Sequence, residues 1–224
     1  MDNRLLRTVV SGAAVIALAA NAYAFDGKRK GFILGFGMGG GVSHISSRIG
    51  AARDSATRGG PGVDVRIGYA RTDRWHIFFG GKMNFCYLDE IIENYDAYFD
   101  AMSGEGLKSA AAIIFAPVVL PFIPIGGAHS VIGLVGVSYY LDDAAPSFFF
   151  EATLGASIFP DEFADEARGG GGFSLAAGYE FEKRWSFRCD VMVGIYRPQE
   201  TDYDTEDERA NAVTVMLTAN YLYY

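Results

Sequence analysis

The chain has 224 residues, 27 acidic and 19 basic side chains, a net charge of −8 and a pI near 4.9. This length suits one domain of about 100–250 residues, and so acidic a chain has no electrostatic case for binding nucleic acid. Its 28 glycines, 17 phenylalanines and 13 tyrosines, without helical periodicity, favour a β architecture with close backbone approaches.

The N-terminus reads as a secretory signal over residues 1–24. Arg4 and Arg7 form a basic start, Val9 to Ala19 an apolar stretch, and Ala22-Tyr23-Ala24 a small-x-small cleavage pattern. The apolar run is shorter than the about 20 residues that a spanning helix needs. Cleavage after Ala24 leaves residues 25–224 as the mature domain.

Period-two alternation then recurs along the chain. Phe32, Leu34, Phe36, Met38 and Val42 alternate with a glycine-rich set. Val63 to Tyr69 sets apolar residues against Asp64 and Arg66, and Trp75 to Phe85 sets them against His76 and Lys82. Ser130 to Leu141 is apolar on both faces. Phe148 to Ile158 opposes Glu151, and Phe173 to Phe181 opposes Glu180. Trp185 to Ile195 opposes Arg188 and Asp190, and Ala212 to Tyr224 ends the chain with Val213, Val215, Leu217, Tyr221 and Tyr223 on one side. Eight strands suit a closed antiparallel barrel, which has no edges to protect.

The links alternate in length. Thr72-Asp73-Arg74, Asp142 to Pro146 and Lys183-Arg184 are tight turns. Ile45 to Gly60, Leu88 to His129, Pro160 to Gly170 and Pro198 to Asn211 are long. Short turns inside and long loops outside are the arrangement of outer-membrane barrels. In the longest link, Leu88 to Met102 reads as helical, and Ala110 to Ile125 is apolar but broken by Pro117, Pro121 and Pro124. The predicted fold is therefore all-β: an eight-stranded antiparallel transmembrane β-barrel with one long, partly helical external loop.

The mixed-sign charges are better placed inside than outside. Asp64, Arg66, Lys82, Glu151, Glu180, Arg188 and Asp190 are predicted to form an ionic network in the lumen, with the apolar face turned to lipid. Trp75, Trp185, Tyr139 and Tyr223, with Tyr140, sit beside the tight turns at the height of a membrane interface. Cys86 and Cys189 fall on opposite faces of different strands, so two free thiols are expected.

These features, with Gly178-Tyr179-Glu180-Phe181 ahead of a turn and Trp185 and the aromatic end Tyr221-Leu222-Tyr223-Tyr224, resemble the small outer-membrane β-barrel proteins. The resemblance is to the outer membrane protein A transmembrane domain and outer membrane protein X type. It implies location in a bacterial outer membrane, contact with its lipid and lipopolysaccharide, and assembly by the barrel-assembly machinery. The peptidoglycan-anchoring role of a periplasmic domain is not carried over.

A non-enzymatic barrel that presents loops for envelope integrity, adhesion or ligand contact is the leading expectation, with no cofactor and no metal. An extracellular ligand would reach it through the loops. Three alternatives stand beside it. His44 and Ser46 form a His-x-Ser pair of the kind that lipid A deacylases use, and His129-Ser130 poses the same question. A channel for small hydrophobic molecules and a soluble lipocalin-like carrier are the others. The acidic runs Asp161 to Glu166 and Asp202 to Glu208 read as solvated loops rather than calcium sites.

Overall fold

The computed structural model describes residues 29–49, 51–87, 128–161, 166–182, 184–196 and 209–224. The signal segment, the predicted helix, the apolar stretch Ala110 to Ile125 and the acidic run Asp202 to Glu208 lie outside them. Eight strands follow one another: β1 (Gly31–Ile49), β2 (Ala52–Ala70), β3 (Trp75–Asn84), β4 (His129–Tyr140), β5 (Ser147–Asp161), β6 (Glu166–Glu182), β7 (Trp185–Tyr196) and β8 (Arg209–Tyr223). Each pairs antiparallel with the next, and β8 returns to β1 to close the barrel.

The register sets the dimensions. From Phe36 the cross-strand neighbours run through Val65, Gly81, Ile132, Ala156, Gly171, Ile195 and Asn211 back to Ser46, ten residues along β1. A stagger of that size over eight strands tilts them by about 40° and gives a backbone radius of about 8 Å. Such a lumen holds side chains and little else.

Strand β4 carries a bulge. Phe78 faces Gly136 while Gly80 faces Gly133, and the opposite ladder skips the same residue. Leu134 and Val135 consequently both point outward, at 70% and 48% exposed. The inward set switches from Val131 and Gly133 to Gly136, Ser138 and Tyr140, which is why this strand reads as apolar on both faces.

Two long links of the sequence reading are corrected. Residues 45–60 are not a loop: β1 and β2 stay paired to Ile49 and Ala52. Likewise β5 and β6 stay paired to Asp161 and Glu166. Apolar alternation fades where both faces turn polar, but backbone pairing continues. The tight turns hold as read. Thr72 Oγ1 accepts from Arg74 N at 3.3 Å and Trp75 N at 3.0 Å, and Arg184 takes a left-handed backbone (φ 78°). Beside them Arg74 Nε donates to Asp143 Oδ1 at 2.5 Å, which holds that carboxyl below the usual carboxylate range.

Glycine on the inner wall makes room for bulky neighbours. A β-carbon at Gly136 would run into the Phe78 ring, and one at Gly35 would lie 2.5 Å from Arg66 Cγ. Gly136→Val is therefore expected to destabilise the barrel by about 1–3 kcal/mol in a urea titration. Gly171→Val, where nothing lies within 4 Å, should leave the midpoint unchanged.

Candidate functional site: the lumen and the outer belt

The lumen is filled in layers. At the tight-turn end the buried Arg29 forms an ion pair with Glu180, its Nε donating to Glu180 Oε2 at 2.6 Å. Its Nη1 donates to Asp142 O at 2.7 Å and Asp73 O at 3.3 Å. The guanidinium lies 4.3 Å over the Tyr140 ring, which stacks on Phe149 and touches His76. Arg29 thus ties two turns and β6 together across the mouth. Ile33, Ala70 and Leu222 form an apolar cluster against which Tyr224 packs.

The next layer is ionic. Glu151 accepts from Arg66 Nη1 at 2.7 Å, Lys82 Nζ at 2.8 Å and Arg188 Nη1 at 3.4 Å. Asp190 accepts from Lys82 Nζ at 2.5 Å and Arg188 Nε at 2.6 Å. Asp64 completes the set, 2.9 Å from Arg188 Nη2 and 3.6 Å from Arg66 Nη2. Three cations thus face three carboxylates, all of them buried. Ser174 and Ser138 supply further bonds, to Lys82 and Glu151. The signs balance, five of the six charges carry a hydrogen bond, and Asp64 is held by its ion pairs with the two arginines; paired charges of this kind are tolerated in a buried layer.

Above it Val131, Met192 and Met216 form an apolar layer. A neutral polar layer follows, where His129 bonds Thr214 at 2.6 Å and Ser157 at 3.1 Å, and Ser43 bonds Thr214 and Asn84. Ile45, Cys86, Tyr87, Phe159, Ala210 and Ala212 close the far end.

Of the seven charges read as one network, the structure brings together Asp64, Arg66, Lys82, Glu151, Arg188 and Asp190. It sets Glu180 apart with Arg29. Arg29 escaped the sequence reading because it precedes the first strand in Lys28-Arg29-Lys30, a run that looks solvated. Neither His44 and Ser46 nor His129 and Ser130 are joined by a side-chain hydrogen bond. His44 is exposed and its Nδ1 bonds Thr57 Oγ1 at 2.9 Å, and among the described residues no carboxylate bonds it. His129 bonds Ser157 rather than Ser130. Cys86 is buried, Cys189 is exposed, and the two do not form a disulfide.

The outer surface is the reverse of the lumen. Along β8 the outward residues from Tyr223 to Val213 are Tyr223, Tyr221, Ala219, Leu217, Val215 and Val213, a run of ten positions. The same length separates Trp185 from Ile195 on β7, Phe148 from Ile158 on β5 and Phe32 from Val42 on β1. At the tilt above, ten residues rise about 26 Å, close to the about 25 Å apolar band of membrane barrels. On β2 and β3 the outward residues Val65 and Met83 are buried.

Aromatic rings collect at the tight-turn end of the belt. Trp75 meets Tyr139 at 4.7 Å, Trp185 meets Tyr221 at 5.1 Å, and Arg184 lies over Tyr223. Tyr140 is a correction: next in sequence to Tyr139, it points inward and is 2% exposed, because successive strand residues alternate faces.

No family model and no curated protein matches the chain. Solved barrels are similar in architecture. The attachment invasion locus protein Ail of Yersinia pestis, in complex with the heparin analogue sucrose octasulfate, has 8% identity and a TM-score of 0.37, over 86% of this chain and 99% of that one. Outer membrane protein OprG of Pseudomonas aeruginosa has 9% identity and a TM-score of 0.40, over 90% and 100%. Neisserial surface protein A has 12% identity and a TM-score of 0.39, over 84% and 96%. The likeness is one of architecture, while strand count, closure and stagger stand on this chain's own register.

Proposed function

We propose that this chain is a non-enzymatic outer-membrane β-barrel, a sealed scaffold that holds its hairpins clear of the membrane. The observation that carries this reading is the pairing of a ten-position apolar outer belt with a packed ionic lumen. A soluble carrier needs the opposite arrangement, an apolar interior around a ligand. A conducting pore needs an open one. Beyond the belt β1 runs on for seven residues, from Val42 to Ile49, so its hairpin with β2 stands about 18 Å above the membrane. That rigid projection suits contact with a partner outside the cell.

The test is outer-membrane fractionation with electrophoresis of boiled and unboiled samples. A detergent-resistant band in the membrane fraction that shifts on heating is expected. A soluble, heat-insensitive species would overturn the reading. Reconstituted in vesicles, the barrel should pass neither ions nor small hydrophobic solutes. His44→Ala and Ser46→Ala should leave the lipid A mass spectrum of the cells unchanged, and a gained or lost acyl chain would revive the enzyme reading.

A further inference from the structure

The outer wall carries an apolar groove in the half of the belt nearest the tight turns. Ile67 and Tyr69 of β2, Ile77 and Phe79 of β3, and Leu134 and Val135 of β4 line it, and its volume is about 660 Å³. All six are exposed. The bulge of β4 shapes the upper end, because it turns two successive side chains outward there. Val65, the next outward residue up β2, is buried and does not line the groove. The lower end is Arg71, exposed and two residues beyond Tyr69 toward the turn. From Arg71 through Tyr69, Ile77 and Val137 to Leu134, the register and tilt above give a rise of about 16 Å. One leaflet of hydrocarbon is about 15 Å deep, half of the about 30 Å core.

Charge sets Arg71 apart from its neighbours. Arg29 is paired with Glu180, Lys30 with Asp73 and Arg74 with Asp143. Among the described residues Arg71 has no carboxylate partner, and only its backbone N–H is engaged, by Trp75 O. We infer that this groove binds one anionic phospholipid of the leaflet at the tight turns, an acyl chain lying from Tyr69 to Leu134 and the phosphate on Arg71. The inference rests on the membrane reading above and adds a lipid class, a leaflet and a site to it. Guanidinium forks match the oxygens of a phosphate. Tyr69, one step above, meets the glycerol region, where amphipathic rings are at home. Because no protein carboxylate neutralises Arg71, a headgroup with net negative charge is favoured over a zwitterionic one.

The chain's two tryptophans supply a probe and a control. Trp75 stands beside Ile77 on β3, whereas Trp185 on β7 has an arginine next to it, Arg184, but lies away from the groove. The full chain, carrying Trp185→Phe or Trp75→Phe, would be reconstituted in phosphatidylcholine vesicles. Phosphatidylglycerol or phosphatidylcholine brominated on its acyl chains would then be added, since bromine quenches tryptophan on contact. At Trp75 brominated phosphatidylglycerol should act at about fivefold lower content than brominated phosphatidylcholine. At Trp185 that advantage should be absent. Arg71→Gln should abolish it at Trp75 while the heat-shifted band is kept, and so should Ile67→Phe, which fills the groove. Added sodium chloride should weaken it. An advantage equal at the two tryptophans, insensitive to salt, or retained by either variant overturns the inference. Brominated phosphatidylcholine that matches phosphatidylglycerol at Trp75 overturns the headgroup assignment. Protein that shifts on heating but distinguishes neither lipid nor site sinks the groove and leaves the barrel standing. Failure to insert at all sinks both.

Discussion

Changing Glu151 to glutamine is expected to cost the barrel about 3–5 kcal/mol, because it removes the carboxylate on which three buried cations converge. Glu151 is hydrogen-bonded to Arg66, Lys82 and Arg188. The amide keeps the shape but leaves three cations facing two carboxylates in a lumen with no room for bulk water. Adding Lys82→Met restores the balance. Arg188 then keeps Asp64 and Asp190, and Arg66 keeps Asp64. The double variant is therefore expected to be more stable than Glu151→Gln alone, although it has lost more hydrogen bonds. Urea titration in vesicles, followed by the fluorescence of Trp75 and Trp185, measures both. A loss under about 1 kcal/mol for the single variant would mean that water reaches the layer and screens it. Two losses that simply add would mean that Lys82 and Glu151 do not act as a pair.

The same layer marks how far the sequence could be read. Alternation names the inward charges on β2, β3, β5 and β7, because each sits opposite apolar neighbours on its own strand. Which carboxylate meets which cation depends on the stagger of ten, a property of the closed sheet that no single strand carries. The stagger lifts Glu151 beside Lys82 and Arg66 and leaves Glu180 lower, within reach of Arg29. The bulge at Leu134 was hidden for a related reason: one extra residue reverses the parity of β4, and apolar side chains before and after it blur both faces. The ends of β1, β2, β5 and β6 were misread because hydrophobic pattern reports the belt, whereas strand length follows backbone pairing. Trp75, Trp185 and Tyr139 could be placed from the turn chemistry beside them, since alternation from a known turn fixes which ring points out.

Leu217→Arg is the sharpest probe of what the belt faces. Leu217 is 64% exposed and lies midway along the outward run from Val213 to Tyr223. An arginine at the middle of a bilayer on the lipid side of a barrel costs about 2–4 kcal/mol, falling to about 0–1 near the interfaces. Leu217→Arg should lower the unfolding free energy in vesicles by the first amount, and Asn211→Arg, six residues toward the rim, by the second at most. Water on the same face predicts no such gradient. There a charge at Leu217 would remove exposed apolar surface and leave stability unchanged or improved, and the two substitutions would be indistinguishable. The gradient between the two positions carries the decision, since a packing defect at one site cannot produce a dependence on depth.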